Sequence, residues 1–193
     1  MNILALGGRM QAGKTTIAKY LRDKYQFHHL SLAAPLKRDI VGMGFPEKMV
    51  YVEKPDAIRA LMQAYGQAWR YVDEDHWLDL LFRKIAALKG RYQTPSLFED
   101  RGIPGQKSGP FIVIDDLRFP NEMDALKEIG AYTVRVTRAG GLERDQITGV
   151  KADASELALT SYQFDYAVTA PSGEIRVLHA FADELLKQLG WVQ

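Results

Sequence analysis

The sequence predicts an α/β fold in which a parallel sheet is covered by helices on both faces, a three-layer arrangement. Two observations predict it. Short apolar runs alternate with segments of helical period along the chain, and the first run, Ile3-Leu4-Ala5-Leu6, ends in Gly7-Gly8 shortly before an amphipathic helix. Alternation of this kind is the signature of βα units, whose crossovers place helices on the faces of a parallel sheet.

Each element has its own warrant. Ile3–Leu6 is apolar on both sides, as a buried parallel strand must be. Residues 14–25 carry Ile17, Ala18, Leu21 and Tyr25 on one helical face. Phe27–Leu32 reads as a second strand, and Pro35 starts a helix bearing Lys37 and Arg38. Residues 56–72 have the clearest helical period in the chain, with Ile58, Leu61, Met62, Tyr65 and Trp69 on one face. Residues 75–89 form another helix, with Trp77, Leu78, Leu81 and Ile85 inward. A long loop rich in Gly, Pro and charge follows from Gly90 to Pro110. Phe111–Ile114 is a central strand that stops at Asp115-Asp116. A helix over 120–129 ends at Gly130 as a C-cap would, and Tyr132–Thr137 alternates as a strand. After an irregular, Gly-rich segment at 139–152 come a last strand, Phe164–Thr169, and a helix carrying Ile175, Leu178, Phe181, Leu185, Leu186 and Leu189.

The chain has 193 residues, 47% of them hydrophobic, so one sizeable core and a single domain over 1–193 are expected. The formal net charge of +1 gives no bulk attraction to nucleic acid, which is not expected as a partner. Without cysteine there can be no disulfide, zinc-thiolate site or thiol nucleophile. No signal peptide or bilayer-spanning stretch is read, so a cytoplasmic protein is expected, with no membrane partner.

Gly8-Arg9-Met10-Gln11-Ala12-Gly13-Lys14-Thr15 matches G-x-x-x-x-G-K-[ST] at every fixed position, between a strand and a helix as that motif requires. Its glycines let successive backbone N–H groups turn inward on phosphate oxygens, and the helix adds its positive dipole end. Lys14 would place a cation on the β- and γ-phosphates, and Thr15 a hydroxyl on Mg²⁺. Gly8, Arg9, Gln11, Ala12, Gly13, Lys14, Thr15 and Thr16 are therefore the expected ATP-binding residues, with ATP and Mg²⁺ as cofactors. This points to a P-loop NTPase fold.

A P-loop needs a carboxylate near the metal, at the C-terminal end of a neighbouring strand. The metal-ligand expectation is Thr15 with Asp116, and strand alternation leaves the choice between Asp115 and Asp116 open. Arg118 follows two residues later, close to the same cleft. On the 56–72 helix, Arg59, Gln63, Gln67 and Arg70 step by four, four and three, forming a polar ridge that suits a phosphate and a base edge, or a solvated face. Lys37, Arg38, Arg135, Arg138 and Arg144 are further cations of the kind phosphoryl transfer uses, and Arg138 and Arg144 border or lie in a segment that could close as a lid. The four histidines, His28, His29, His76 and His179, have no metal-ligand spacing and read as structural or surface residues.

Taken together, the P-loop, Ala34-Pro35-Leu36-Lys37, Tyr65-Gly66 with Arg70, Trp77, Asp116-Leu117-Arg118-Phe119-Pro120-Asn121-Glu122 and Ser155-Glu156 stand in one order. In that order the chain resembles the deoxynucleoside monophosphate kinases of bacteriophages over nearly its whole length. The resemblance implies a five-stranded parallel sheet, an acceptor-binding helical region at about 33–90 and a lid at about 139–152. It implies transfer of phosphate from ATP to a dNMP. Lys14, Arg118, Arg138 and Arg144 become the expected catalytic residues. Lys37, Arg59, Gln63, Gln67, Arg70, Trp77, Asp116, Arg118, Glu122, Ser155 and Glu156 become the expected acceptor-site residues. The match departs from the family at Asp153, where a histidine is expected, and at Thr169–Gly173, where an asparagine is expected. Rivals are a phosphomevalonate-type acceptor, a modified pyrimidine such as hydroxymethyl-dUMP free or in DNA, and a non-catalytic ATP switch. A homodimer is compatible with the sequence.

Overall fold

The computed structural model describes residues 2–92, 109–140 and 158–192. Most of the expected long loop and lid, with Arg144, Ser155 and Glu156, lies outside the described residues. In chain order the elements are β1 (Asn2–Gly7), α1 (Lys14–Tyr25), β2 (His28–Leu30), α2 (Ala34–Gly42), one π turn (Met49–Glu53), α3 (Asp56–Val72), α4 (His76–Tyr92), β3 (Phe111–Leu117), α5 (Pro120–Glu128), β4 (Tyr132–Ala139), β5 (Tyr166–Pro171) and α6 (Ile175–Gln188). The strands form a single five-stranded sheet in the order β2-β3-β1-β4-β5, and every pair in it is parallel.

The crossovers put helices on both faces. The connection from β1 to β2 passes β3 in one direction, while that from β3 to β4 passes β1 in the other. Right-handed crossovers running in opposite directions leave from opposite faces. On the α1 face, Leu4, Leu6, Phe111, Val113, Val134 and Val136 pack with Ile17, Ala18 and Leu21 of α1 and Leu178, Ala182 and Leu185 of α6. Ile3, Ala5, Ile112 and Ile114 have the opposite parity and are wholly buried, as are Met123 and Leu126 of α5.

The chain divides into two compact units, one of residues 1–30 and 87–193 and the other Ser31–Ala86, with the boundary falling inside α4. In the helical unit, Gly66 lets α2 and α3 approach closely: a Cβ there would lie 2.9 Å from Leu36 Cδ1. Trp77 is 2% exposed and its indole N–H donates to the Gly66 carbonyl at 3.2 Å.

In the sheet unit, α1 is tied to α6 beyond its first turns. The Tyr20 and His179 rings stack with centroids 3.9 Å apart. Asp183 accepts from Tyr20, Lys24 and Tyr25 at 2.7 to 3.0 Å. Burial alone would raise the Asp183 pKa, but these three donors hold it below the ordinary carboxylate value. Trp191 closes the same side of the core against Phe27, Phe111 and Tyr132.

Candidate active site

The turn from β1 to α1 is built from backbone conformations that place Gly8 at φ 133°, Gln11 at φ 60° and Gly13 at φ 106°. Gly8 has a second reason to be glycine: a Cβ there would sit 2.1 Å from the carbonyl oxygen of Val136. No side chain caps α1 at Gly13, and its first turn holds no acidic residue, which leaves its positive end suited to an anion. Lys14 is 9% exposed, and its ammonium donates to the carbonyls of Gly8 and Arg9, each at 2.7 Å. It folds back over the loop it would serve. Ala12 is buried in the core under the loop, Gln11 is exposed, and Thr16 opens on a recess of 520 Å³ together with Lys19, Tyr20 and His179.

The carboxylate beside the P-loop is Asp115. Thr15 Oγ1 donates to Asp115 Oδ2 at 2.6 Å, and Asp115 is 9% exposed. This corrects the placement of Asp116 beside Thr15, and the reason is parity. Asp115 continues Phe111 and Val113, which face α1, whereas Asp116 continues Ile112 and Ile114. The register also slips here: Ala5 pairs with Ile114 but Gly7 with Leu117, so β3 carries an extra residue at the two aspartates. Such irregularities re-aim side chains beside functional sites. The Asp115 Oδ1 has a neighbour that the sequence reading assigned to structure or surface: His29 Nε2, 3.0 Å away. His29 sits on β2 opposite Val113.

A hydroxyl and a carboxylate 2.6 Å apart fit Mg²⁺, a hard cation that takes one or two protein oxygens and completes its shell with water and phosphate. The chain's own oxygens that could hold such an ion are Thr15 Oγ1 and the Asp115 carboxylate. The same end of the sheet lies where β1 and β3 are neighbours and their connections leave to opposite faces, the switch point at which α/β sheets bind ligands.

Arg118 is half-buried just past β3. Its backbone N–H and that of Phe119 both donate to Glu122 Oε2, at 2.9 and 3.0 Å. Glu122 is 3% exposed and its carboxylate is turned into the chain, so its place is under the Arg118 turn and not on a ligand surface. Phe119 offers no side-chain acceptor, and only the Glu122 half of a capping box operates. Trp77 is likewise withdrawn from the expected acceptor residues: it is buried and its N–H is engaged inside the helical unit.

On α3 of the helical unit, Gln63 and Gln67 are exposed and Arg59 and Arg70 half-buried, with Arg59 Nε donating to the Lys54 carbonyl at 2.7 Å. Lys37 lies over the Tyr51 ring, 5.9 Å from its centroid. In the sheet unit, Arg138 at the end of β4 donates to Ser172 Oγ. Arg135 is a strap: its guanidinium donates to the carbonyls of Leu159, Thr160 and Tyr162 and covers the Phe164 ring at 4.6 Å. That ring in turn fills the space beside Gly7.

No protein-family profile matches the sequence. The chain is 28% identical over 160 residues to an Acanthamoeba polyphaga mimivirus protein provisionally named a deoxynucleotide monophosphate kinase, covering 72% of this chain and 76% of that protein. It is 29% identical over 161 residues to the uncharacterized ORF77 protein of Ictalurid herpesvirus 1, covering 83% of this chain but spanning only 60% of that protein's length. Among solved structures, a provisionally named kinase from Chloroflexus aurantiacus superposes with a TM-score of 0.51 at 13% identity, over 97% of this chain and 95% of that one. A sugar kinase from Janibacter superposes equally well, with a TM-score of 0.51 at 13% identity, over 100% of this chain and 96% of that one. The chain thus has a three-layer α/β P-loop NTPase fold, and its sequence is similar over most of its length to a viral protein carrying a deoxynucleotide monophosphate kinase name.

Proposed function

We propose that the chain is an ATP-dependent phosphotransferase that converts deoxynucleoside monophosphates to diphosphates. One observation carries the donor half of this reading. The Lys14 ammonium, the Thr15 hydroxyl and the Asp115 carboxylate are gathered by a glycine-bent turn at the C-terminal ends of adjacent strands. The acceptor half is supported by the likeness to the mimivirus protein and by the Asp116–Glu122 segment.

In this reading an oxygen of the acceptor phosphate attacks the γ-phosphorus. The bond from that phosphorus to the β–γ bridging oxygen breaks, and ADP leaves with the electron pair. A phosphate oxygen is already a competent nucleophile, so positioning and charge supply the catalysis. Lys14 exchanges the Gly8 and Arg9 carbonyls for phosphate oxygens. Mg²⁺, when bound, neutralises charge on the β- and γ-phosphates. Arg118, set by the Glu122-capped turn, contacts the acceptor phosphate, and Arg138 and Arg144 supply further positive charge. Arg59, Gln63, Gln67 and Arg70 are the proposed acceptor-recognition residues of the helical unit, with Lys37. Ser155 and Glu156 keep the acceptor-site role that the family resemblance implies.

The test is ADP formation by the purified protein with Mg²⁺·ATP against dNMPs, NMPs, hydroxymethyl-dUMP, mevalonate phosphate and single-stranded DNA. Stimulation by one or more dNMPs with dNDP as product supports the reading. Stimulation by another member of the panel alone moves the acceptor class, and ATP binding with no stimulation by any of them refutes the nucleoside monophosphate kinase reading in favour of a switch or an acceptor outside the panel. In the active reaction Lys14→Ala should lower turnover by at least about 100-fold with an unchanged circular dichroism spectrum.

A further inference from the structure

Asp115 is approached from two sides. Thr15 donates to Oδ2 from the P-loop. On the other oxygen, His29 Nε2 stands 3.0 Å from Oδ1. Yet that nitrogen is shut away from solvent and makes no hydrogen bond. A buried ring nitrogen held at contact distance from a carboxylate oxygen, but not bonded to it, is a rare arrangement that asks for a cause. The backbone enforces the placement. β2 is three residues long, and its register with β3 puts His29 opposite Val113, two residues before Asp115.

We propose that His29 is the positioning residue for the metal-binding carboxylate: with Mg²⁺·nucleotide in the P-loop, Nε2–H donates to Asp115 Oδ1 and fixes the plane of the carboxylate. This rests on the reading of Thr15 and Asp115 as the metal's protein oxygens. Carboxylates that face a metal are oriented by partners behind them, and removing such a partner weakens metal affinity by about 10- to 100-fold. An imidazole suits the task because in its neutral form it donates a hydrogen bond without cancelling the negative charge that a dication requires.

The experiment is calorimetric titration of a non-hydrolysable ATP analogue into the wild type, His29→Gln and His29→Leu, each in excess Mg²⁺ and in EDTA, with no acceptor present. The Gln variant keeps an N–H at similar reach, and the Leu variant keeps bulk without a donor. The wild type should bind more tightly with Mg²⁺. His29→Leu should lose about 10-fold of that gain while matching the wild type in EDTA, and His29→Gln should recover most of it. A full Mg²⁺ gain in His29→Leu overturns the role of His29. So does an equal loss with and without metal, which would mark a merely structural residue. A wild type with no Mg²⁺ gain overturns the metal site itself. None of these outcomes depends on the acceptor, so failure here is separable from failure of the kinase reading.

Discussion

Replacing Gly8 by alanine tests whether the cradle's geometry is imposed by the sheet. Two costs combine. A φ of 133° is a conformation that a residue with a Cβ adopts only under strain of about 1–3 kcal/mol. The new Cβ would also sit 2.1 Å from the Val136 carbonyl oxygen and 3.2 Å from its carbon. An ordinary carbon–oxygen contact is about 3.3 Å, so roughly 1.2 Å must be opened between two backbones. Those backbones belong to the β1–β4 pair, where Leu6 faces Val134 and Gly7 faces Arg135, so relief disturbs the ladder itself. Overpacking of this kind adds about 1–3 kcal/mol. The sum is about 2–6 kcal/mol, a large part of an ordinary domain's stability. With a urea m-value of about 2 kcal/mol/M, the midpoint should fall by about 1–3 M. Gly42→Ala is the control. It lies at the end of α2, where a Cβ meets nothing within 4 Å, and alanine should be neutral or stabilising by up to about 1 kcal/mol. A Gly8→Ala midpoint within about 0.3 M of wild type would refute the argument that backbone contact dictates this glycine.

Three further outcomes follow from contacts in the sheet and helical units. Glu122→Ala should cost about 2–4 kcal/mol in urea melts, because it orphans the Arg118 and Phe119 amides in a half-buried turn, and Glu122→Gln should restore part of it. Burial alone would raise the Asp165 pKa, but the Thr133 hydroxyl and amide, with Lys127, hold it below the ordinary value. That contribution is full above the unfolded carboxylate pKa and is lost as pH falls through the lower folded value. Thr133→Val should therefore destabilise by about 1 kcal/mol at pH 7, with the gap closing below about pH 4 in melts across pH. Trp77→Phe should cost about 1 kcal/mol of stability by removing the N–H···O bond to Gly66, while leaving the KM for the phosphate acceptor unchanged. A raised KM would return Trp77 to the ligand surface.

What could be read from the residues depended on how local the cause was. The P-loop, α1, α3 and α5 were legible because each has a local pattern: a complete motif, a helical stripe, or a proline start and glycine stop. β3 runs to Leu117, three residues past the expected end, because pairing with β1 continues through the charged pair that looked like a terminus. The choice between Asp115 and Asp116 required knowing which face α1 covers, a fact of topology and not of composition. Parity with Phe111 and Val113 was the available signal once that face was known. His29 was hidden for a similar reason. Its partner lies 86 positions away and comes near only through the β2–β3 register. The helical stripe already placed Trp77 inward, and only the family resemblance gave it a ligand role; for Glu122 the backbone partners reveal the internal use. The π turn at Met49–Glu53 has no simple periodicity to announce it.

The clasp around Asp183 has a consequence for how a nucleotide would be received. The helix that begins at the P-loop is pinned farther along by a ring stack and by donors converging on one carboxylate. Tilting or sliding that helix against its neighbour would break several charge-assisted contacts at once. The backbone framework of the cradle among the described residues is therefore set when the chain folds, and what a ligand orders there is side chains, the swing of Lys14 among them. Donor binding to such a frame should show a small entropic penalty. Loosening the clasp, as in Asp183→Asn, should weaken nucleotide affinity from a distance without touching a single ligand contact.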